Sequence, residues 1–212
     1  DPITLDELLK FDQKAKSKVS DERRRIIRNI LRDVADRKGI AIAKELKTIL
    51  VEYNDRISTA KFDKGCIEGV EYEIPLIPGA RPIYSRPYNT SKEEQDCIDE
   101  TIDLLLRAGI IEPYNGPWGS PVLVVRNNDG TMRLCVDYTH RNKITQDNSY
   151  PCPNINDTLL DFKKKSIFSK FDITKAFHNI RVKPEHKERT AFVTKKGAYV
   201  WNYMPFGGKN CP

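Results

Sequence analysis

The sequence predicts an α+β fold, and three features predict it. The first sixty residues carry helical periodicity with capping signals. Beyond Gly65, glycines and prolines repeatedly interrupt short β-branched and aromatic runs. Finally, helices and strands do not follow the regular βαβ alternation of a parallel sheet, which leaves a mixed architecture.

Taken in order, residues 1–60 form a helical upstream segment. Ser20-Asp21 caps a helix with Ile26, Ile27, Ile30, Leu31 and Val34 on one face, closed by Gly39. Ile42, Leu46, Ile49 and Leu50 repeat the pattern up to Tyr53. Residues 61–90 read as an extended connector. Gly65, Gly69, Pro75, Pro78, Gly79, Pro82 and Pro87 exclude a helix there, and Glu71 to Ile74 alternates as one strand. In residues 91–165, Ser91-Lys92-Glu93-Glu94 is a capping box. It is followed by the stripe Ile98, Ile102, Leu105, Leu106 and a stop at Gly109. Pro113, Pro117 and Pro121 frame a loop with Tyr114 and Trp118, and Val122–Val125 pairs with Met132–Val136 across an Asn127–Gly130 turn. A short helix runs from Ile155 to Phe162. In residues 166–212, a strand ends at Asp172, and a hairpin joins Ala191–Thr194 to Tyr199–Tyr203 through Lys196-Gly197.

Composition narrows the function classes. No apolar run reaches 18 residues and no apolar leader opens the chain, so neither a membrane span nor a signal peptide is expected. The chain starts at Asp1 and stops at Cys211-Pro212, which reads as a piece of a longer polypeptide. Five cysteines without a Cys-x-x-Cys pair, with three scattered histidines, suggest reduced intracellular thiols and no zinc site. The net charge of +6 is unevenly spread. Residues 163–196 hold eleven Lys or Arg against Asp172, Glu185 and Glu188, a concentration that would attract a polyanion or simply form a solvated face.

The stretch Phe168-Ser-Lys-Phe-Asp-Ile-Thr-Lys-Ala-Phe-His carries the most chemistry. It sets the carboxylate of Asp172 at a strand end, with a hydroxyl, a lysine and an aromatic in the next five positions. A site that holds a metal against a triphosphate needs such a grouping. An aspartate at a strand end is equally a common turn residue.

Eight stretches, in order, give the chain a resemblance to the reverse transcriptase of long-terminal-repeat retroelements, the Ty3/gypsy type above all. They are Ala80-Arg-Pro-Ile, Leu106-Arg-Ala-Gly-Ile-Ile-Glu-Pro, Gly116-Pro-Trp-Gly-Ser-Pro-Val, Asp129-Gly-Thr-Met-Arg-Leu-Cys-Val-Asp-Tyr, Asn142-Lys-Ile-Thr, Phe168-Ser-Lys-Phe-Asp, Arg189-Thr-Ala-Phe and Met204-Pro-Phe-Gly. The resemblance covers residues 48–212. It implies a right-hand polymerase, with residues 91–165 as fingers and 166–212 as the start of the palm. It also implies Asp172 and the carbonyl of Ile173 as ligands of Mg²⁺ or Mn²⁺, with Asp172 catalytic. Arg133, Lys175, Ala176, Phe177, Phe206 and Gly207 are implied at the nucleotide, Phe177 as the ring that excludes a ribose 2′-hydroxyl. Trp118, Pro121, Lys163, Lys164, Lys165, Arg181 and Lys183 are implied along the nucleic acid. The implied partners are an RNA template, RNA–DNA or DNA duplex, dNTP and the remainder of a Pol polyprotein, with no membrane. The location would be cytoplasmic, including virus-like particles.

The chain also departs from the family pattern. Arg126-Asn127-Asn128 stands where a basic run is usual, and Thr139-His140-Arg141 replaces Arg-x-Leu. Gly208 and Cys211 stand where Leu and Ala are common, a glycine expected to loosen a following helix. The Tyr- or Phe-x-Asp-Asp turn that supplies the family's other two carboxylates is not in this sequence. Two readings follow: a piece of an RNA-directed DNA polymerase that is inactive alone, or a domesticated remnant that only binds nucleic acid or protein.

Overall fold

The computed structural model describes residues 3–59, 65–148, 154–163, 165, 170 and 172–211, without the side chain at 14. The chain forms two compact units, Asp1–Gly65 and Cys66–Pro212.

The first unit is helical: α1 (Leu5–Leu9), α2 (Gln13–Lys18), α3 (Asp21–Lys38) and α4 (Ile40–Glu52). Its first three helices start where short polar side chains satisfy free N–H groups. Thr4 and Glu7 form a capping box, Asp12 caps α2 and Ser20 caps α3. Gly39, at φ +92°, separates α3 from α4. The core gathers Leu8, Phe11, Val19, Ile27, Leu31 and Ala43, and the cations of Arg28 and Lys47 approach the Phe11 ring at 5.4 and 5.2 Å. One expectation needs correcting. α4 turns Ala43, Leu46 and Leu50 to this core and leaves Ile42 and Ile49 exposed, because the helix is apolar on more than one face.

In the second unit, α5 (Lys92–Arg107) opens with the expected Ser91/Glu94 capping box and buries Ile98, Ile102 and Leu105. A five-stranded sheet has the order β2 (Ile111–Tyr114), β7 (Gly197–Trp201), β6 (Phe192–Thr194), β3 (Ser120–Arg126), β4 (Met132–Val136). All its pairs are antiparallel except β3 with β6. The β3–β4 hairpin closes through Asn127–Gly130, where Gly130 takes φ +80° and Asp129 Oδ1 accepts the Thr131 N–H at 2.9 Å. The sheet draws strands from both sides of residue 165. α6 (Thr139–Lys143) and α7 (Ile155–Phe162) follow the hairpin. The strand expected to end at Asp172 falls mostly outside the described residues.

The expected connector is tied down along much of its length. β1 (Glu71–Tyr72) pairs in parallel with β5 (Arg181–Val182). The Ile74 N–H donates to His186 Nδ1 at 3.0 Å, and the Ile74 carbonyl accepts from Arg189 at 2.6 Å. Farther on, Ile83 packs near Trp118, and Tyr88 donates to Asp137 at 2.7 Å. Proline and glycine stopped regular structure here without stopping the packing.

Candidate active site

Asp172 and Ile173 are exposed and lead into a tight turn at Thr174-Lys175. Lys175 takes the left-handed conformation at φ +49°, the described non-glycine residue that does so. This reversal lets Ala176–Asn179 coil as a short 3₁₀ helix, with the His178 N–H donating to the Lys175 carbonyl at 2.8 Å. A carboxylate, a turn of backbone N–H groups and the half-buried Phe177 ring thus sit within six residues.

A second loop, about thirty residues downstream in sequence, closes on this turn. The Phe177 and Phe206 rings meet edge-on at 4.7 Å. The Met204 N–H donates to the Ile180 carbonyl at 2.9 Å, and the Met204 carbonyl lies 3.2 Å from His178 Nδ1. The Asp172 turn and Met204-Pro-Phe-Gly are therefore brought together.

Gly207 is held from the other side. Its φ is +86°, and a side chain there would enter space beside the Val136 carbonyl and the Tyr138 ring. Asn142 Nδ2 donates to the Gly207 carbonyl at 2.9 Å, while its Oδ1 accepts from the Lys209 N–H and from Arg141. Asn142 opens the stretch Asn142-Lys-Ile-Thr that carries part of the resemblance, and that stretch is its signal in the sequence. Arg133 is exposed on β4, three residues before Val136. At a strand rise of roughly 3.3 Å per residue it stands about 10 Å along the strand from the Gly207 contact.

The replaced residues form a packed group. Arg141 is 2% exposed, and its guanidinium lies over the Tyr138 ring at 3.7 Å. Gly208 faces the Tyr72 hydroxyl, the Cys211 sulfur and Arg141 Nη2 so closely that no Cβ fits. The small size of Gly208 admits these neighbours. Burial pushes the Tyr72 and Tyr138 phenols above their ordinary range and raises the Cys211 thiol.

Two expectations along the nucleic acid fail for physical reasons. Trp118 is 5% exposed and packs with Ala191, Val200 and Ile83, so it offers no face for base stacking. Pro121 is buried as well, and its carbonyl accepts the Asp137 N–H at 2.9 Å. The basic stretch is also less open than its charge suggests. Lys183 pairs with Glu73, Lys187 with Glu112 and Lys196 with Asp99, while Arg189 and Lys195 bond the Ile74 carbonyl and Thr90. Glu73 holds Lys183 above its ordinary range, and the adjacent Cys66 sulfur does the same for Arg181, which stays exposed. Lys163 and Lys165 are exposed at the end of α7; Lys164 lies outside the described residues.

The family described as reverse transcriptase (RNA-dependent DNA polymerase) matches residues 125–212. The retrovirus-related Pol polyprotein from transposon opus of Drosophila melanogaster is 36% identical over 136 residues, 62% of this chain and 14% of that protein. The transposon Tf2-3 polyprotein of Schizosaccharomyces pombe is 32% identical over 171 residues, 81% of this chain. This chain spans only 12% of the Tf2-3 polyprotein. Among solved structures, the prototype foamy virus protease–reverse transcriptase CSH mutant aligns over 99% of this chain and 26% of its own. The TM-score is 0.71 and the identity 22%. The foamy viral enzyme in complex with RNA/DNA hybrid gives a TM-score of 0.71 at 19% identity, over 88% of this chain and 25% of its own. At those identities the likeness speaks for the fold. No described helix is long and apolar enough to cross a membrane. The chain belongs to the reverse transcriptase family, of the kind carried by the Pol polyproteins of retrotransposons.

Proposed function

We propose that this chain supplies the fingers and the first part of the palm of an RNA-directed DNA polymerase. In that role it would bind dNTP against a primer on an RNA or DNA template, within a Pol polyprotein. The observation that carries the reading is the junction of two distant motifs. The exposed carboxylate of Asp172 opens a turn whose Phe177 ring meets Phe206 of the second loop at 4.7 Å. On this reading Phe177 walls the sugar, and the N–H groups of Lys175 and Ala176 face the phosphates. Gly207 gives the base and template close access to backbone. Arg133 suits the triphosphate because a guanidinium stays charged and binds two phosphate oxygens at once.

Reverse transcriptases as a family use divalent metal ions. Two-metal phosphoryl transfer needs ligands for ions about 3.5–4 Å apart. Among the described residues no group of three or more metal-ligating side chains occurs. Asp172 and the Ile173 carbonyl do not by themselves fit such a centre, so binding and orientation are the part derived for this chain. Alone, it would not extend a primer.

In the polymerase that contains this chain, Asp172→Asn should abolish incorporation. The exposed side chain can lose its charge without disturbing packing. Retention of more than about a tenth of the activity would remove Asp172 from the metal site.

A further inference from the structure

Phe206 is 51% exposed, yet its ring is seated on two others. It meets Phe177 edge-on at 4.7 Å and His178 edge-on at 5.5 Å. His178 is 4% exposed and fixed in turn, stacked on Trp201 at 5.4 Å with Nδ1 against the Met204 carbonyl. Trp201 continues the contact to Phe192 at 5.6 Å, inside the sheet. A row of rings thus runs from the core to Phe177. Phe177 itself lies on a one-turn 3₁₀ helix entered through a left-handed lysine, a short support for a side chain that must resist pressure.

We propose that Phe206, seated on His178, clamps the Phe177 ring and is thereby a second determinant of sugar selection. The proposal rests on reading Phe177 as the wall beside the sugar. A ring that must exclude one hydroxyl has to hold its orientation, because turning aside would open the space. The edge-on contact with Phe206 opposes that turning. Phe206 is thus a positioning residue whose effect passes through Phe177.

The test measures kcat/KM for a dNTP and the matching rNTP, in the polymerase that contains this chain, for Phe177→Ala, Phe206→Leu, Phe206→Tyr and the Phe177→Ala/Phe206→Leu pair. Phe206→Leu keeps bulk but loses the edge-on pairing. It should relax the dNTP/rNTP ratio by about two- to tenfold, the worth of one such aromatic pair. Phe206→Tyr should keep the ratio. In the Phe177→Ala background Phe206→Leu should add nothing. A loss that affects dNTP and rNTP alike, or a further change in that background, would overturn the clamp while leaving the wall intact. An unchanged ratio in Phe177→Ala would overturn both. In the 212-residue chain, ring-to-ring nuclear Overhauser contacts between Phe177 and Phe206 should be present, and their absence would also sink the clamp.

Discussion

Gly208→Ala is the substitution whose cost can be worked most directly. An added Cβ would lie 2.3 Å from the Tyr72 hydroxyl, 2.6 Å from the Cys211 sulfur and 3.0 Å from Arg141 Nη2. None of these can swing into solvent, since Tyr72, Cys211 and Arg141 are each buried. The Cys211 thiol also donates to the Pro205 carbonyl at 3.2 Å, so displacing it disturbs the loop that carries Phe206. Overpacking of this kind costs about 1–3 kcal/mol. Alanine would return only about 0.4–1 kcal/mol by restricting the unfolded chain. The net effect is destabilising by up to about 2.6 kcal/mol, a shift of up to about 1.3 M in the urea midpoint for a slope of about 2 kcal/mol/M. Both tryptophans, Trp118 and Trp201, lie in the second unit, so intrinsic fluorescence reports on the relevant core. Tyr72→Phe removes the closest clashing atom and should recover part of the loss in the Gly208→Ala background. Alone it should cost about 0.5–1.5 kcal/mol, the worth of the hydrogen bond that its hydroxyl makes with the Cys211 sulfur. A coupling of about 0.5 kcal/mol or more between the two sites is expected. A neutral or stabilising Gly208→Ala, with additive Tyr72→Phe, would refute the packing argument.

Other consequences are equally direct. His186 accepts the Ile74 N–H, and burial followed by the charge of Arg189 lowers its pKa. The unfolded chain then binds more protons, so this contribution is full above the unfolded pKa of about 6.5 and is lost as pH falls through the lower folded value. The protection of the Ile74 amide against exchange, relative to its intrinsic rate at each pH, should fall on acidification below neutrality, and in His186→Phe it should be low at both ends of that range. Lys163→Gln with Lys165→Gln should flatten the salt dependence of binding to RNA–DNA hybrid, whereas Lys183→Gln should change it less, because Glu73 already neutralises that lysine. An equal or larger effect from Lys183 would place it on the nucleic acid. Lys175→Gly should preserve the turn and stabilise the unit by up to about 1 kcal/mol, since glycine adopts positive φ without a Cβ clash. A loss of stability would show that the lysine side chain matters more than its backbone.

What the sequence disclosed, and what it hid, follows from the range of the interactions involved. Capping boxes, turns and hairpins are written within four or five residues, so Ser91, Ser20 and the Asn127–Gly130 turn were legible. The core face of α4 was not, because an apolar helix offers several faces and only its partners choose one. Charge was misleading for a related reason. Eleven basic residues in one stretch look like a surface for a polyanion. Their acidic partners Glu73, Glu112 and Asp99 lie between 70 and 110 positions away and can be seen only after folding. Trp118 erred in the same direction, a proline-framed aromatic read as a stacking platform and found in the core. The substitutions at 141 and 208 show the converse. Each alone looks like decay, a charge for a leucine and a glycine for a leucine. In the fold the buried guanidinium stacks on Tyr138 and reaches into the volume that Gly208 leaves open. The two changes fit one another, so they count as repacking of the loop below Phe206 and give no reason to read the site as abandoned.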